Sequence, residues 1–138
     1  MDVWARHMFK IKQKNPAQVS SIGALTESTA IGYLRKKGLK LISRNYRPPG
    51  RGMADLDAVM LDQDGTVVFV EVRFRSSLMY GGAAASISAS KKQRLIQAAR
   101  FFLQQYRDVP ACRFDAVVFE NGNDQQPVWI KSAFEAKV

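Results

Sequence analysis

Two acidic residues on neighbouring predicted strands could together hold a divalent cation. Asp57 lies in ADLDAVML (residues 54–61), and Glu71 lies in VVFVEVRFR (residues 67–75). The DQDG segment between them is typical of a tight hairpin turn, which would make the two strands antiparallel neighbours. We therefore expect the two carboxylates to lie close together. Carboxylate oxygens are preferred ligands of Mg²⁺ and Mn²⁺, so both acids are candidate catalytic residues and metal ligands.

Alternation along the strand at residues 67–75 adds two guanidinium groups beside Glu71. Side chains two residues apart share one face of a strand. One face then carries Phe69, Glu71, Arg73 and Arg75, while the opposite face is apolar, with Val68, Val70, Val72 and Phe74. A cation beside a bound phosphate stabilises its charge during hydrolysis, so Arg73 is a candidate catalytic residue and Arg75 a candidate contact to the nucleic-acid backbone. The alternative is a solvated sheet face with cross-strand ion pairs, such as Asp57 with Arg73.

A third acid, Glu27, lies on a predicted helix. Apolar residues recur at helical spacing over residues 22–37, and Gly38 marks the helix end. The apolar stripe contains Leu25, Ala30, Ile31 and Leu34. The spacing places Glu27 on or beside this stripe, where a carboxylate is costly unless it is paired or binds something. Glu27 is therefore a third candidate catalytic acid, and the alternative is a glutamate that reaches solvent.

A second predicted helix, residues 88–107, begins with a cluster of cations. Its apolar stripe contains Leu95, Ala98, Ala99, Phe102 and Leu103, and Ser88 or Ser90 could cap it. Three cations lie in its first turns: Lys91, Lys92 and Arg94. The helix dipole disfavours cations there, which favours a role in binding nucleic-acid phosphates. The alternative is a solvated basic face.

The remaining segments complete an α/β pattern. Strands are expected at 40–46 and 113–119, with a possible short strand at 128–131, and residues 76–87 are loop-like. The resulting αβββαβ order predicts a central mixed sheet flanked by helices. Arg113 and Asp115 alternate on the fourth strand and could pair with each other or with the site. Residues 1–20 are expected to form a poorly ordered basic tail, and residues 21–138 a single domain.

Composition limits the possible partners and cofactors. The chain has 138 residues, a net charge of +9, one cysteine and one histidine. These counts exclude a zinc site of several Cys and His ligands and any intrachain disulfide, which fits a reducing, cytoplasmic setting. No apolar run is long enough to span a membrane. The positive charge favours a nucleic-acid partner, while the alternative is a basic protein that meets an acidic protein.

Several motifs together resemble a known family. They are GALTESTAIGYL (23–34), LISRNYR (41–47), ADLDAVM (54–60), VVFVEVRFRS (67–76), YGGAAASISASK (80–91) and CRFDAVVF (112–119). In this order and at these spacings they resemble the YraN-type family of small bacterial proteins, over roughly residues 21–134. That family in turn resembles the PD-(D/E)xK nucleases, which include the Holliday junction resolvases and share the restriction endonuclease-like fold.

The resemblance implies a metal-dependent endonuclease acting on DNA, with branched DNA as one candidate substrate. Asp57 and Glu71 would bind Mg²⁺ or Mn²⁺, Arg73 would occupy the position of the superfamily's lysine, and Glu27 would be the helix acid. Lys91 would contact phosphate. DNA is favoured over RNA, and a resolvase-like reaction would favour a homodimer with two sites.

Two departures from the superfamily pattern leave a second function open. Asp55 stands where the family more often has glutamate, and Arg73 stands where the nucleases have lysine. Arginine stays protonated and cannot act as a general base, although it can stabilise phosphate charge. The alternative function is therefore a non-catalytic nucleic-acid-binding module on a nuclease fold.

Overall fold

The computed structural model describes residues 21–75, 87–120 and 127–136. They form two helices and five strands in the order αβββαββ. The helices are α1 (Ser21–Lys36) and α2 (Ala89–Leu103), and the strands are β1 (Lys40–Tyr46), β2 (Leu56–Leu61), β3 (Val67–Arg75), β4 (Cys112–Glu120) and β5 (Val128–Phe134). Neither helix within these ranges is long and apolar enough to cross a bilayer.

The five strands form one mixed sheet in chain order, β1-β2-β3-β4-β5. The β3–β4 pair is parallel, and the other three neighbouring pairs are antiparallel. The β2–β3 connection is the hairpin that DQDG predicts: Asp62 N–H donates to the Thr66 carbonyl at 2.9 Å, and Gly65 adopts a positive φ of 89°. The prediction of an α/β protein with a central mixed sheet flanked by helices is therefore confirmed.

The two helices cover opposite faces of the sheet. α1 packs its buried residues against one strand face, formed by Ala58, Met60, Val68, Val70 and Val117. α2 packs against the other face, whose buried side chains include Val59, Val67, Phe69 and Phe114. Phe102 of α2 anchors this second core, because its ring meets Tyr46 and Phe69 edge-on at 5.2 and 5.8 Å. The sheet is therefore buried on both sides, which is typical of parallel and mixed sheets.

A buried acid fixes the β4–β5 end of the sheet. Asp115 has a fully buried side chain and accepts hydrogen bonds from Arg113 Nε, Trp129 Nε1 and the Ser132 amide, each at 3.0 Å. Arg113 also donates to Asp62 at 2.9 Å. These bonds accompany the register shift between β4 and β5. Arg113 and Asp115 therefore pair with each other, and they hold the strands together.

The element boundaries differ from the sequence predictions at a few positions. β2 begins two residues later than predicted, α2 ends at Leu103 instead of 107, and β5 extends to Phe134. Leu25 is 67% exposed, so placing it in the buried stripe of α1 was wrong. Phe74 is 59% exposed although its strand face was predicted to be apolar, because the buried part of that face ends near Val72. The predicted tail (1–20), most of the 76–87 loop and the 121–126 turn lie outside the described residues.

Candidate metal and phosphate site

The candidate site begins where the β2–β3 ladder ends. The last paired residues are Ala58 and Val70, and Asp57 directly precedes Ala58 in β2. At that point the Asp57 side chain replaces a backbone acceptor: its Oδ2 accepts a hydrogen bond from the Val72 amide at 2.8 Å. An amide that would otherwise lack a strand partner is thereby satisfied, and the carboxylate is fixed beside Glu71.

Asp57 and Glu71 form a close acidic pair. Their carboxyl groups are within hydrogen-bonding reach of each other, and Glu71 is only 8% exposed. Burial, followed by the charge of Glu71, raises the pKa of Asp57 from 3.8 to about 7. Burial also raises the pKa of Glu71. Two adjacent buried carboxylates resist losing both protons, so the pair holds a proton that a cation could replace. A buried Glu71 is not part of a freely solvated sheet face.

Glu27 approaches the pair from α1. Its negative charge contributes to the raised pKa of both Asp57 and Glu71. Glu27 Oε2 is buried and accepts no hydrogen bond, and Arg44 Nη2 lies 3.7 Å from it. Arg44 was not predicted from the sequence; β1 pairs it with Ala58, one residue from Asp57. Asp57 and Glu71 thus form the acidic pair, and Glu27 on α1 acts on both through its charge.

Two cations act on Glu71. Lys91 Nζ is 4.0 Å from Glu71 Oε1, and the Lys91 side chain is only 30% exposed. Arg73 also lowers the pKa of Glu71, although Lys91 has the larger effect. Lys91 had been predicted to contact nucleic acid, and its proximity to the second acid was not foreseen. The Ser88 side chain caps α2 by accepting from the Lys91 amide at 3.0 Å, and so fixes the backbone of this residue.

The other predicted phosphate-binding cations are arranged differently. Lys92 Nζ lies over the Phe134 ring at 5.7 Å from its centroid, so it faces β5 and not the acids. Arg94 is exposed, and its carbonyl accepts from the Ala54 amide at 3.2 Å. Arg75 ends β3, and its side chain lies outside the described part of the structure. Of the four, the structure brings Lys91 alone against the acidic pair within the described side chains.

The acidic pair fits a hard divalent cation. Its donors are carboxylate oxygens, and Glu71 Oε2 is a buried acceptor that receives no hydrogen bond. Among the described residues, no group of three or more His, Cys, Asp or Glu side chains is placed so that it could hold a metal ion. Mg²⁺ characteristically uses one or two carboxylates together with waters and substrate phosphates, so a partial protein cage suits this ion.

The fold and the position of the acids together define a class of protein. An αβββαβ core with one further strand, built on a mixed five-stranded sheet between two helices, is a restriction endonuclease-like α/β core. Its acids lie where β2 and β3 separate.

The chain belongs to the uncharacterised protein family UPF0102, whose family model matches residues 26–119. A UPF0102 protein from Albidiferax ferrireducens is 50% identical over 114 residues, covering 83% of this chain and 87% of the relative. A UPF0102 protein from Polaromonas sp. is 48% identical over 129 residues, covering 88% of this chain and 87% of the relative. Another, from Paracidovorax citrulli, is 47% identical over 114 residues, covering 83% and 82%. The YraN-type resemblance is thereby confirmed, since this is the same family.

Proposed function

We propose that this protein is a metal-dependent, endonuclease-like phosphodiester hydrolase that acts on DNA. The observation that carries the proposal is the buried Asp57–Glu71 pair, in which the pKa of Asp57 is raised to about 7. Such a perturbed pair of acids is costly to the folded protein, and a bound divalent cation would offset that cost. Strongly perturbed carboxylates beside cations are characteristic of functional sites.

Asp57 and Glu71 would hold Mg²⁺ or Mn²⁺, and Glu27 would add negative charge from α1. The ion would polarise the phosphodiester and lower the pKa of an attacking water. Hydrolysis forms a bond from the water oxygen to phosphorus and breaks the bond to one ester oxygen, which takes up a proton. Arg73 would bind a phosphate oxygen next to the acids. The net charge of +9 supports a polyanionic substrate.

A non-catalytic nucleic-acid-binding module is the second candidate function. The specific observation that favours it is Arg73, because arginine cannot exchange its proton as the lysine of the nucleases can. In this case the acidic pair would bind a structural ion or remain partly protonated, and the cations would bind the phosphate backbone without hydrolysis.

A cleavage screen separates the two functions. Duplex, single-stranded and four-way-junction DNA, together with RNA, are incubated with Mg²⁺ or Mn²⁺. We expect Asp57→Asn and Glu71→Gln to lower cleavage at least ~100-fold. Asp108→Asn is a matched control, since it removes an exposed carboxylate, and should cut like wild type. Salt-dependent binding of DNA without cleavage of any substrate would reject the hydrolase and favour the binding module.

Three further aspects belong to the same proposal. DNA is the preferred partner over RNA, and the junction arm of the screen tests whether branching matters. Cutting two strands of a junction would require two sites, which favours a homodimer that light scattering would detect.

We place the protein in the cytoplasm, which is supported by its single cysteine, since one cysteine cannot form a disulfide within the chain.

A further inference from the structure

A lysine from α2 occupies the space beside Glu71. Lys91 Nζ lies 4.0 Å from Glu71 Oε1, although the two residues are 20 positions apart in the sequence. The contact is longer than a hydrogen bond, so the ammonium group keeps donors available for another acceptor. Its side chain is 30% exposed, against 9% for Glu71, so the lysine is the more solvent-accessible of the two. A phosphate bound beside Glu71 would lie within reach of this ammonium group.

The position of Lys91 is fixed by the helix that carries it. The Lys91 amide donates to the Ser88 side chain, and the body of α2 is anchored in the core through Leu95, Ala98, Ala99 and Phe102. A cation in the first turn of a helix is unfavourable because of the helix dipole. The nearby carboxylates compensate for this, which ties the cation to the acidic pair.

Arg73 has a different relation to the same acids. It follows Glu71 by two residues on β3, so it projects from the same face of the same strand. Lys91 Nζ lies 4.0 Å from Glu71 Oε1 across the α2–β3 packing, whereas Arg73 is a neighbour of Glu71 along β3. The chain therefore supplies two positive groups to one acid, a compact ammonium from a helix and a planar guanidinium from the strand.

We propose that Lys91 is the catalytic cation of the site, contacting the phosphate that is cleaved, while Arg73 binds and orients the DNA backbone. This inference rests on the proposed hydrolase function and deepens it. Lys91 acts through its positive charge, which stabilises the charge that develops on the phosphate oxygens as water attacks. The lysine that is absent from the strand motif is thus supplied from α2, and Arg73 need not replace it.

The first test is the cleavage of a four-way DNA junction in Mn²⁺ by four variants. Lys91→Met should lower kcat at least ~100-fold with KM changed less than ~3-fold, because it removes a group that acts in the transition state. Lys91→Arg, which keeps the charge, should recover to within about tenfold of wild type. Arg73→Met should mainly raise KM. Lys40→Met, which removes an exposed lysine of β1, is the control and should behave like wild type.

A second readout needs no DNA and no turnover. Mn²⁺ binding to the free protein is measured by titration calorimetry, with thermal unfolding in EDTA to show that each variant is folded. Removing a positive charge beside a candidate metal ligand should tighten Mn²⁺ binding at least ~3-fold in Lys91→Met and leave Lys40→Met unchanged.

The outcomes separate the two proposals. A folded Lys91→Met protein that keeps wild-type kcat, while wild type cleaves, overturns the role of Lys91 alone. Unchanged Mn²⁺ affinity in this variant also overturns it, since Lys91 would then not be next to the ion. A wild-type protein that cuts no substrate overturns both the hydrolase and the catalytic role of Lys91.

Discussion

Replacing Asp57 by asparagine should stabilise the metal-free protein at neutral pH, even though it removes a candidate metal ligand. Asparagine reproduces the protonated form of the acid. Its carbonyl oxygen can accept the hydrogen bond that the Val72 amide now gives to Asp57 at 2.8 Å. Its amide group can donate to Glu71, which lies within hydrogen-bonding reach of residue 57. The variant therefore keeps both contacts and loses only the buried negative charge.

The size of the effect follows from the pKa of Asp57, which is raised from 3.8 to about 7. The folded protein therefore holds this proton more tightly than the unfolded chain. Stability from this group is fully present below about pH 4 and is lost as the pH rises to about 7. A difference of roughly 3 pH units at ~1.4 kcal/mol each sets an upper limit of about 4 kcal/mol. Because the proton is shared with Glu71, we expect the variant to gain about 2–4 kcal/mol at pH 8.

Urea unfolding in EDTA at pH 4 and pH 8 measures this gain. The free energies of unfolding of Asp57→Asn and wild type should agree within about 1 kcal/mol at pH 4 and differ at pH 8. Asp108→Asn, an exposed acid, should match wild type at both values. Added Mn²⁺ should stabilise wild type more than Asp57→Asn, because an ion that binds only the folded state raises its stability. A variant less stable than wild type at pH 8, with an unchanged m-value, would refute the reasoning.

Three further predictions concern the surrounding residues. Glu27→Gln should lower the pKa of Asp57, because it removes a negative charge that raises this pKa. Carboxyl-carbon NMR titration measures the change, and an unchanged pKa would show that Glu27 is not close to Asp57. Asp115→Ala should cost about 3–5 kcal/mol in urea unfolding, since it removes the buried acceptor of hydrogen bonds from Arg113, Trp129 and Ser132. A loss below ~1 kcal/mol would contradict this. Phe102→Ala should cost about 3–5 kcal/mol through the cavity left between Tyr46 and Phe69, whereas a small loss would mean that the core closes over it.

The sequence alone was sufficient for the fold and for the acidic pair, because both depend on local patterns. Strand alternation and the DQDG turn are short-range features, and together they placed Asp57 opposite Glu71. The stripe of α2 was also predictable, since every member from Leu95 to Leu103 that the spacing selected is buried. Helical spacing also predicted that Glu27 lies on or beside the apolar stripe of α1, and its side chain is only 17% exposed.

Long-range geometry could not be predicted in the same way. The contact of Lys91 with Glu71 depends on how α2 packs over the sheet, and the approach of Arg44 to Glu27 depends on the register of β1. The exposure of Leu25 shows the same limit, because helical periodicity does not reveal how much of a helix the sheet covers. Lys92 had the same sequence context as Lys91, yet it faces Phe134, because adjacent residues on a helix point in different directions.

The two acids of the pair differ in their hydrogen bonds to the neighbouring strands. β3 is paired with β4 from Val67–Cys112 to Arg75–Glu120, so the Glu71 backbone is bonded within a complete ladder. Asp57 lies just beyond the last β2–β3 pair, and a side-chain hydrogen bond to Val72 replaces the ladder there. At the proposed metal site, Asp57 would therefore share its carboxylate between a bound ion and the Val72 amide, whereas Glu71 has a buried Oε2 that accepts no hydrogen bond. Ion binding there should compete with the hydrogen bond that closes the end of the β2–β3 ladder.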